Sequence, residues 1–176
     1  MTKPIIGITA NQRLNMALDN LPWSYAPTGF VQAVTQSGGL PLLLPIGDEA
    51  AAKTYVSMVD KIILIGGQNV DPKYYQEEKA AFDDDFSPER DTFEPDSILY
   101  PIYGHKTLIN SFHRQSLKTV AKDLKVIARD PRDGTIEAVI STNDAIPFLG
   151  VQWHPELLQG VRDEDLQLFR LFVNDF

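Results

Sequence analysis

A histidine and a carboxylate two residues apart at the end of an apolar strand are two parts of an acyl-transfer site. The run Gly150-Val151-Gln152-Trp153-His154-Pro155-Glu156 has that form. The imidazole of His154 could take the proton of a nucleophile, and Glu156 could hold the ring in one tautomer. Pro155 between them fixes a backbone dihedral, so the two side chains leave the strand in a set relation. Taken alone, His-Pro-Glu is more often a surface loop with an incidental pair. The nucleophile is the difficulty. The 176 residues contain no cysteine, which removes disulfides, thiolate metal sites and thiol catalysis together. No Gly-x-Ser-x-Gly elbow is present to put a serine in its place.

The other candidates are weaker on their own. Gly66-Gly67 after an apolar run reads equally as an ordinary turn. His113 by itself is more often a structural histidine, and His105 reads as surface. Asp83-Asp84-Asp85 is a solvated loop rather than a metal site, because metal ligands need spacing and not a bare run.

The elements that must position these residues divide the chain in two. Its first part alternates strand and helix. Residues 4–9 form a short apolar run of the kind buried on both faces of a sheet. Residues 28–37 predict a helix with Phe30, Val31 and Val34 on one face and Gly38-Gly39 as the stop. Residues 40–45 are a second apolar strand, Asp48 can cap a helix running to about Val59, and residues 61–65 are a third buried strand. That order means a parallel α/β sheet. In the second part, residues 124–129 and 135–141 alternate polar and apolar around the turn Asp130-Pro131-Arg132-Asp133-Gly134, a hairpin expected at one edge of the sheet. Residues 147–153 form another strand, and Leu166, Phe169, Leu171 and Phe172 mark an amphipathic closing helix over residues 163–173. One place reads oddly: residues 87–94 begin like a helix, yet Pro95 follows at once.

Composition sets the class. With 16 basic against 24 acidic side chains the net charge is −8, and no Lys/Arg cluster offers a nucleic-acid footprint. The length fits one domain, residues 1–176, with a real core. No apolar run approaches the ~20 residues of a membrane span and no signal peptide is apparent, so the expected address is the cytoplasm.

Four blocks in order resemble the class I glutamine amidotransferase-like family, and within it the stand-alone γ-glutamyl-γ-aminobutyrate hydrolases. They are Lys3-Pro4-Ile5-Ile6-Gly7-Ile8-Thr9, Gly66-Gly67-Gln68-Asn69-Val70-Asp71-Pro72, Asn110-Ser111-Phe112-His113-Arg114-Gln115, and residues 150–156. Together they span nearly the whole chain. The resemblance implies a three-layer, mostly parallel, flavodoxin-like sheet with an added antiparallel hairpin. It implies His154 as general base, Glu156 as its orienting carboxylate, and Gly66-Gly67 as the source of an oxyanion-hole amide, where glycine allows close approach. Ser111, Phe112 and His113 match a segment lining the γ-glutamyl pocket. Asp71-Pro72 stands where subunits of biosynthetic amidotransferases tend to carry a Pro-Gly-Pro type loop. The implied reaction is hydrolysis of a small γ-glutamyl amide through a cysteine thioester, with no metal or organic cofactor. The expected partner is that small-molecule substrate, with neither nucleic acid nor membrane; a homo-oligomer is compatible with the sequence.

The departure is equally plain. In the family, the segment after a motif like Arg90-Asp91-Thr92-Phe93-Glu94 completes a helix and enters a strand ending in a Gly-x-Cys-x-Gly turn. Here Pro95-Asp96-Ser97-Ile98-Leu99 resembles a stretch lying well beyond the nucleophile. A helix–strand–helix unit, on the order of 30 residues or more, is therefore expected between Glu94 and Pro95 in the intact protein. Two alternatives stand beside this reading. One is a catalytically dead binding protein on the same scaffold. The other is a flavodoxin-type nucleotide binder, which fits the α/β order but has only one glycine in Gly7-Ile8-Thr9-Ala10-Asn11 where a phosphate loop would need several.

Overall fold

A computed structural model of the chain describes residues 2–67, 89–158 and 160–176. These fall into two compact units, one built from residues 1–67 with 156–176 and the other from residues 68–155. Asp83, Asp84 and Asp85, and residues 68–72 of the second block, lie outside the described residues.

In the first unit the apolar runs become a parallel sheet. Strand β1 (Ile5–Thr9) is followed by a hairpin of β2 (Asn11–Asn15) and β3 (Leu21–Tyr25), then helix α1 (Thr28–Gln36), β4 (Leu40–Leu44), helix α2 (Glu49–Met58) and β5 (Lys61–Ile63). The sheet order is β4-β1-β5, both pairs parallel, with Gly7 opposite Leu42 on one side and Ile62 on the other. Ile6 and Ile8 of β1 are buried against Phe30, Ala33 and Val34 of α1 and against Phe169 and Val173 near the C-terminus. Phe30 and Phe169 meet edge-on with ring centroids 6.3 Å apart. Val31, expected on this face, is 38% exposed; Ala33 takes its place.

Asp48 caps α2 as anticipated, its carboxylate accepting the Ala51 N–H at 2.8 Å. The C-terminal helix (Asp163–Arg170) runs on into a wider π-helical turn over Leu171–Asp175. Lys61 binds that turn, donating through Nζ to the carbonyls of Phe172 at 2.7 Å and Val173 at 2.9 Å. Burial pushes the Lys61 ammonium below its usual pKa, opposed by the nearby charges of Asp175 and Asp60.

The β2–β3 hairpin is the element of this unit that hydrophobic periodicity does not reveal. Asn15 accepts the Ala17 N–H at 3.0 Å, and Asp19 and Asn20 adopt left-handed backbone angles of φ 52° and 59°. Consecutive Asp-Asn is the sequence signal for such a turn, since both side chains tolerate that region.

The second unit holds an antiparallel sheet of β6 (Glu89–Phe93), β7 (Lys106–Ile109), β8 (Leu124–Arg129), β9 (Ile136–Ser141) and β10 (Leu149–Val151), in the order β10-β9-β8-β6-β7. The expected hairpin is β8–β9, but it lies at the centre of this sheet rather than at an edge. The parallel arrangement is confined to three strands, so the mostly parallel sheet expected for the chain is replaced by mixed parallel and antiparallel sheets. The helix start read over residues 87–94 is also corrected, because Glu89–Phe93 is strand. Thr92 and Phe93 pair with Arg129 and Ala128, and Thr92 Oγ1 donates to the Arg129 carbonyl at 3.0 Å. Cross-strand pairing and burial of Phe93 override the local helix signal.

Glu94 and Pro95 then turn the chain, with the Ser97 N–H donating to the Glu94 carbonyl at 2.9 Å. Phe93 stacks on Tyr103 of a single helical turn (Tyr100–Tyr103) at 5.2 Å, and both meet Trp153 edge-on at 6.0 and 5.6 Å. At the β8–β9 turn Asp130 accepts the Arg132 N–H at 2.8 Å and binds its guanidinium, while Gly134 takes φ 81°. These hydrogen bonds from Arg132 hold the Asp130 carboxyl below the usual carboxylate range, against the opposing effect of burial.

Candidate active site

The expected site residues are distributed over both units. Gly66, Gly67 and Glu156 belong to the first; Ser111, Phe112, His113 and His154 belong to the second.

Gly66 and Gly67 follow β5 and are exposed. Their backbone is held by the first residue of β2. Asn11 Nδ2 donates to the Gly66 carbonyl at 2.9 Å, and a Cβ on Gly67 would sit 3.0 Å from Asn11 Oδ1. One residue earlier, the Ile65 N–H donates to Thr9 Oγ1 at 3.1 Å. Side chains at the end of β1 and the start of β2 thus fix the chain where it leaves β5.

Glu156 lies in a single 3-10 turn (Pro155–Leu157) and is 4% exposed. Its backbone is pressed against the first turn of α1. A Cβ on Gly29 would fall 2.1 Å from the Glu156 carbonyl oxygen, so only glycine admits this approach.

In the second unit, the last ladder bond beyond β10 runs from the Gln152 N–H to the Glu137 carbonyl at 2.8 Å. Trp153 is buried, and His154 emerges half-buried. Asn110, just past β7, meets the His154 peptide on both sides. Its Oδ1 accepts the His154 N–H at 2.8 Å and its Nδ2 donates to the His154 carbonyl at 2.9 Å. Phe112, half-exposed, stands edge-on to the His154 ring with centroids 5.7 Å apart. Ser111 is half-buried between them in sequence. This brings three of the expected residues into one neighbourhood, with the imidazole flanked by an aromatic face.

His113 faces the interior of this unit. Its Nε2 lies 3.6 Å from Oε1 of Glu137, with side-chain exposures of 16% and 1%. Neither carboxylate oxygen of Glu137 accepts a hydrogen bond among the described residues. His105 is exposed, with its ring 6.5 Å from that of Tyr100.

Four residues of this arrangement were not singled out from sequence: Asn11, Gly29, Asn110 and Glu137. Asn110 had a usable signal, being an amide at the mouth of a strand in the same block as Phe112 and His113. Glu137 had a fainter one, a charge within the apolar run of β9. Among the described residues no group of three or more His, Asp or Glu side chains is placed to hold a metal ion, and no helix is long and apolar enough to cross a membrane.

The peptidase C26 family model matches the chain in two stretches, residues 4–96 and residues 92–156. Protein NtpR of Enterococcus hirae is 30% identical, with 98% of this chain and 99% of that protein covered; the alignment runs over 238 residues, against the 176 of this chain. The relative therefore carries internal positions with no counterpart here. The γ-glutamyl-γ-aminobutyrate hydrolase PuuD of Escherichia coli is 55% identical over 49 residues, covering 27% of this chain and 18% of that enzyme. Among solved structures, PurLQS from Thermotoga maritima superposes with a TM-score of 0.59 at 14% identity, covering 97% of this chain and 99% of that one. A protein from Thermoplasma acidophilum described as a putative GMP synthase component superposes with a TM-score of 0.64 at 10% identity, covering 98% of this chain and 95% of that one. These likenesses establish the amidotransferase-type α/β fold.

Proposed function

The chain belongs to the peptidase C26 family of glutamine amidotransferase-like proteins, and from that premise we propose that the intact protein hydrolyses a small γ-glutamyl amide. The observation that carries this reading is the family match in two stretches that meet at residues 92–96. The Glu94-Pro95 junction, where we place the helix–strand–helix unit that would carry the nucleophile, falls within those residues. The longer alignment with NtpR supports an internal gap of this kind. The 49-residue likeness to PuuD supports the γ-glutamyl substrate class.

In the proposed reaction a cysteine carried by that unit attacks the γ-carbonyl carbon of the amide. His154 takes the thiol proton and passes it to the departing amine. Glu156 orients the imidazole, and a backbone N–H of the Gly66-Gly67 turn stabilises the oxyanion. Ser111, Phe112 and His113 line the pocket for the γ-glutamyl group. Water then releases glutamate from the thioester, with His154 now activating the water. No metal or organic cofactor enters these steps.

The open edge of the parallel sheet is where we place the missing strand. Among the described residues β5 pairs only with β1. Leu64 beyond it is 71% exposed, and α2 leaves Val56 and Met58 62% and 53% exposed. A further strand and its helices would cover these apolar groups and extend the sheet towards the three-layer, flavodoxin-like form.

The test is intact-mass spectrometry of the protein from its native source, followed by assay with γ-glutamyl-γ-aminobutyrate. A mass several kilodaltons above 19.7 kDa together with amine release is the expected result. A mass of 19.7 kDa with no amine released would overturn it. The second reading, a γ-glutamyl amide binder without turnover, rests on the absence of cysteine from the 176 residues; saturable binding without amine release would support it.

A further inference from the structure

We propose that Asn110 is the positioning residue for His154, replacing with its side-chain amide the strand that the His154 peptide lacks. This rests on the reading of His154 as general base.

The argument begins with what the backbone needs. Beyond the Gln152–Glu137 bond at 2.8 Å the chain leaves the ladder of β9, so the N–H and carbonyl of His154 require other partners. Asn110 supplies both, at 2.8 and 2.9 Å. A primary amide is suited to this task because it presents one acceptor and two donors in a plane, as a peptide group does. Aspartate keeps the acceptor but sets a second oxygen against the His154 carbonyl. Glutamine is one methylene too long, and alanine offers neither contact.

The flanking residues close off other orientations. Trp153 stands edge-on against the stacked rings of Phe93 and Tyr103, which anchors the residue before His154. Pro155 after it has a fixed φ. Phe112, two residues beyond Asn110, stands against the imidazole at 5.7 Å. One short segment therefore holds the main chain of His154 through Asn110 and its ring through Phe112. A general base works only when its nitrogen is within hydrogen-bond reach of the proton it takes. Fixing the peptide fixes the origin of the side chain that must make that reach.

The test uses isotope-labelled NMR on the 176-residue chain, comparing wild type with Asn110→Ala and Asn110→Asp. His105 and His113 serve as internal references. In Asn110→Ala the His154 amide should exchange with solvent about five- to tenfold faster. The His154 ring protons should lose the shift imposed by Phe112, while those of His105 stay in place. Asn110→Asp should show a smaller increase in exchange, relative to wild type at the same pH. That increase should shrink as the new carboxyl is protonated below about pH 4 and regains a donor. A folded Asn110→Ala in which His154 amide exchange and ring shifts match wild type overturns the proposal. If that variant does not fold, unchanged His154 exchange in Asn110→Asp overturns it equally. Assay of the intact protein with γ-glutamyl-γ-aminobutyrate separates the clamp from the reading beneath it. If His154→Gln in the intact protein turns over γ-glutamyl-γ-aminobutyrate as fast as wild type while Asn110→Ala disturbs His154, the clamp stands and the role as base fails.

Discussion

Replacing either member of the His113–Glu137 pair should destabilise the second unit far more than replacing both. Glu137 is 1% exposed, and His113 Nε2 at 3.6 Å is the one charge partner that its carboxylate faces among the described residues. At that separation, with an effective dielectric constant of about 20, a protonated His113 and an ionised Glu137 attract by about 4–5 kcal/mol. His113→Leu removes this attraction and leaves a desolvated carboxylate, which costs about 3–5 kcal/mol in comparable buried pairs. Glu137→Met removes the same attraction from the other side, with a smaller loss because the His113 side chain is 16% exposed. The double variant His113→Leu/Glu137→Met carries neither desolvation penalty and should fall within about 1 kcal/mol of wild type. Urea unfolding followed by circular dichroism measures all four proteins, and the double-mutant cycle isolates the pairwise energy. If each single variant loses less than about 1 kcal/mol and the losses simply add, the pair is not a coupled buried ion pair and the reasoning fails. The scale matters because net stability is only about 5–15 kcal/mol.

Other perturbations follow from the contacts around the expected site. Gly29→Ala places a Cβ 2.1 Å from the Glu156 carbonyl oxygen, and the forced shift should cost about 1–3 kcal/mol despite alanine's better helix propensity; a variant as stable as wild type in chemical denaturation would contradict this. Asn11→Ala removes the bond to the Gly66 carbonyl, at a cost of about 1 kcal/mol. Faster amide exchange at Gly66 and Gly67 should accompany that loss, and unchanged exchange would show that the turn holds without Asn11. Asp130 has its pKa depressed in the folded protein chiefly by Arg132. Its contribution is therefore present above the unfolded value of ~3.9 and lost as pH falls through the lower folded value. Asp130→Asn should cost about 1 kcal/mol near neutral pH, since Arg132 is half-exposed and solvent screens the pair. The deficit should shrink progressively in unfolding curves recorded below the unfolded value of ~3.9, and a deficit independent of pH would refute the linkage.

The parts of this fold that sequence reveals are those whose signal is local. The apolar runs of β1, β4 and β5 need no partner to be recognised, and Asp48 caps α2 through a bond that closes within one turn. Residues 124–141 announce a hairpin because the strand alternation and the Asp130–Gly134 turn lie side by side. What stayed hidden depends on distant pairing. Residues 89–93 carry helix-start chemistry, yet pairing with Arg129 and Ala128 makes them strand. The hairpin's central place follows from the same pairing, since β6 covers the edge of β8 that local reading leaves free. The candidate site behaves alike. His154 and Glu156 are singled out by four motif blocks taken in order, whereas the contact of Asn110 appears only when a residue 44 positions away presents its peptide.

The absence of cysteine bears differently on the two units once their internal construction is known. The supports of His154 within the second unit, namely Asn110, Phe112 and the Trp153 anchor, are all in place there. A base with no nucleophile would be under no physical requirement to retain a two-point peptide clamp and an aromatic wall. The first unit, by contrast, leaves one edge of β5 unpaired among the described residues. Its three-stranded sheet ends at β5 among the described residues, and Leu64 just past it and Val56 and Met58 of α2 are exposed. Covering large apolar side chains such as these is worth roughly 1.5–3 kcal/mol each when burial is complete, a substantial fraction of what holds a domain of this size together. The exposure therefore falls on the parallel sheet, and the two family matches, residues 4–96 and 92–156, overlap around Glu94-Pro95.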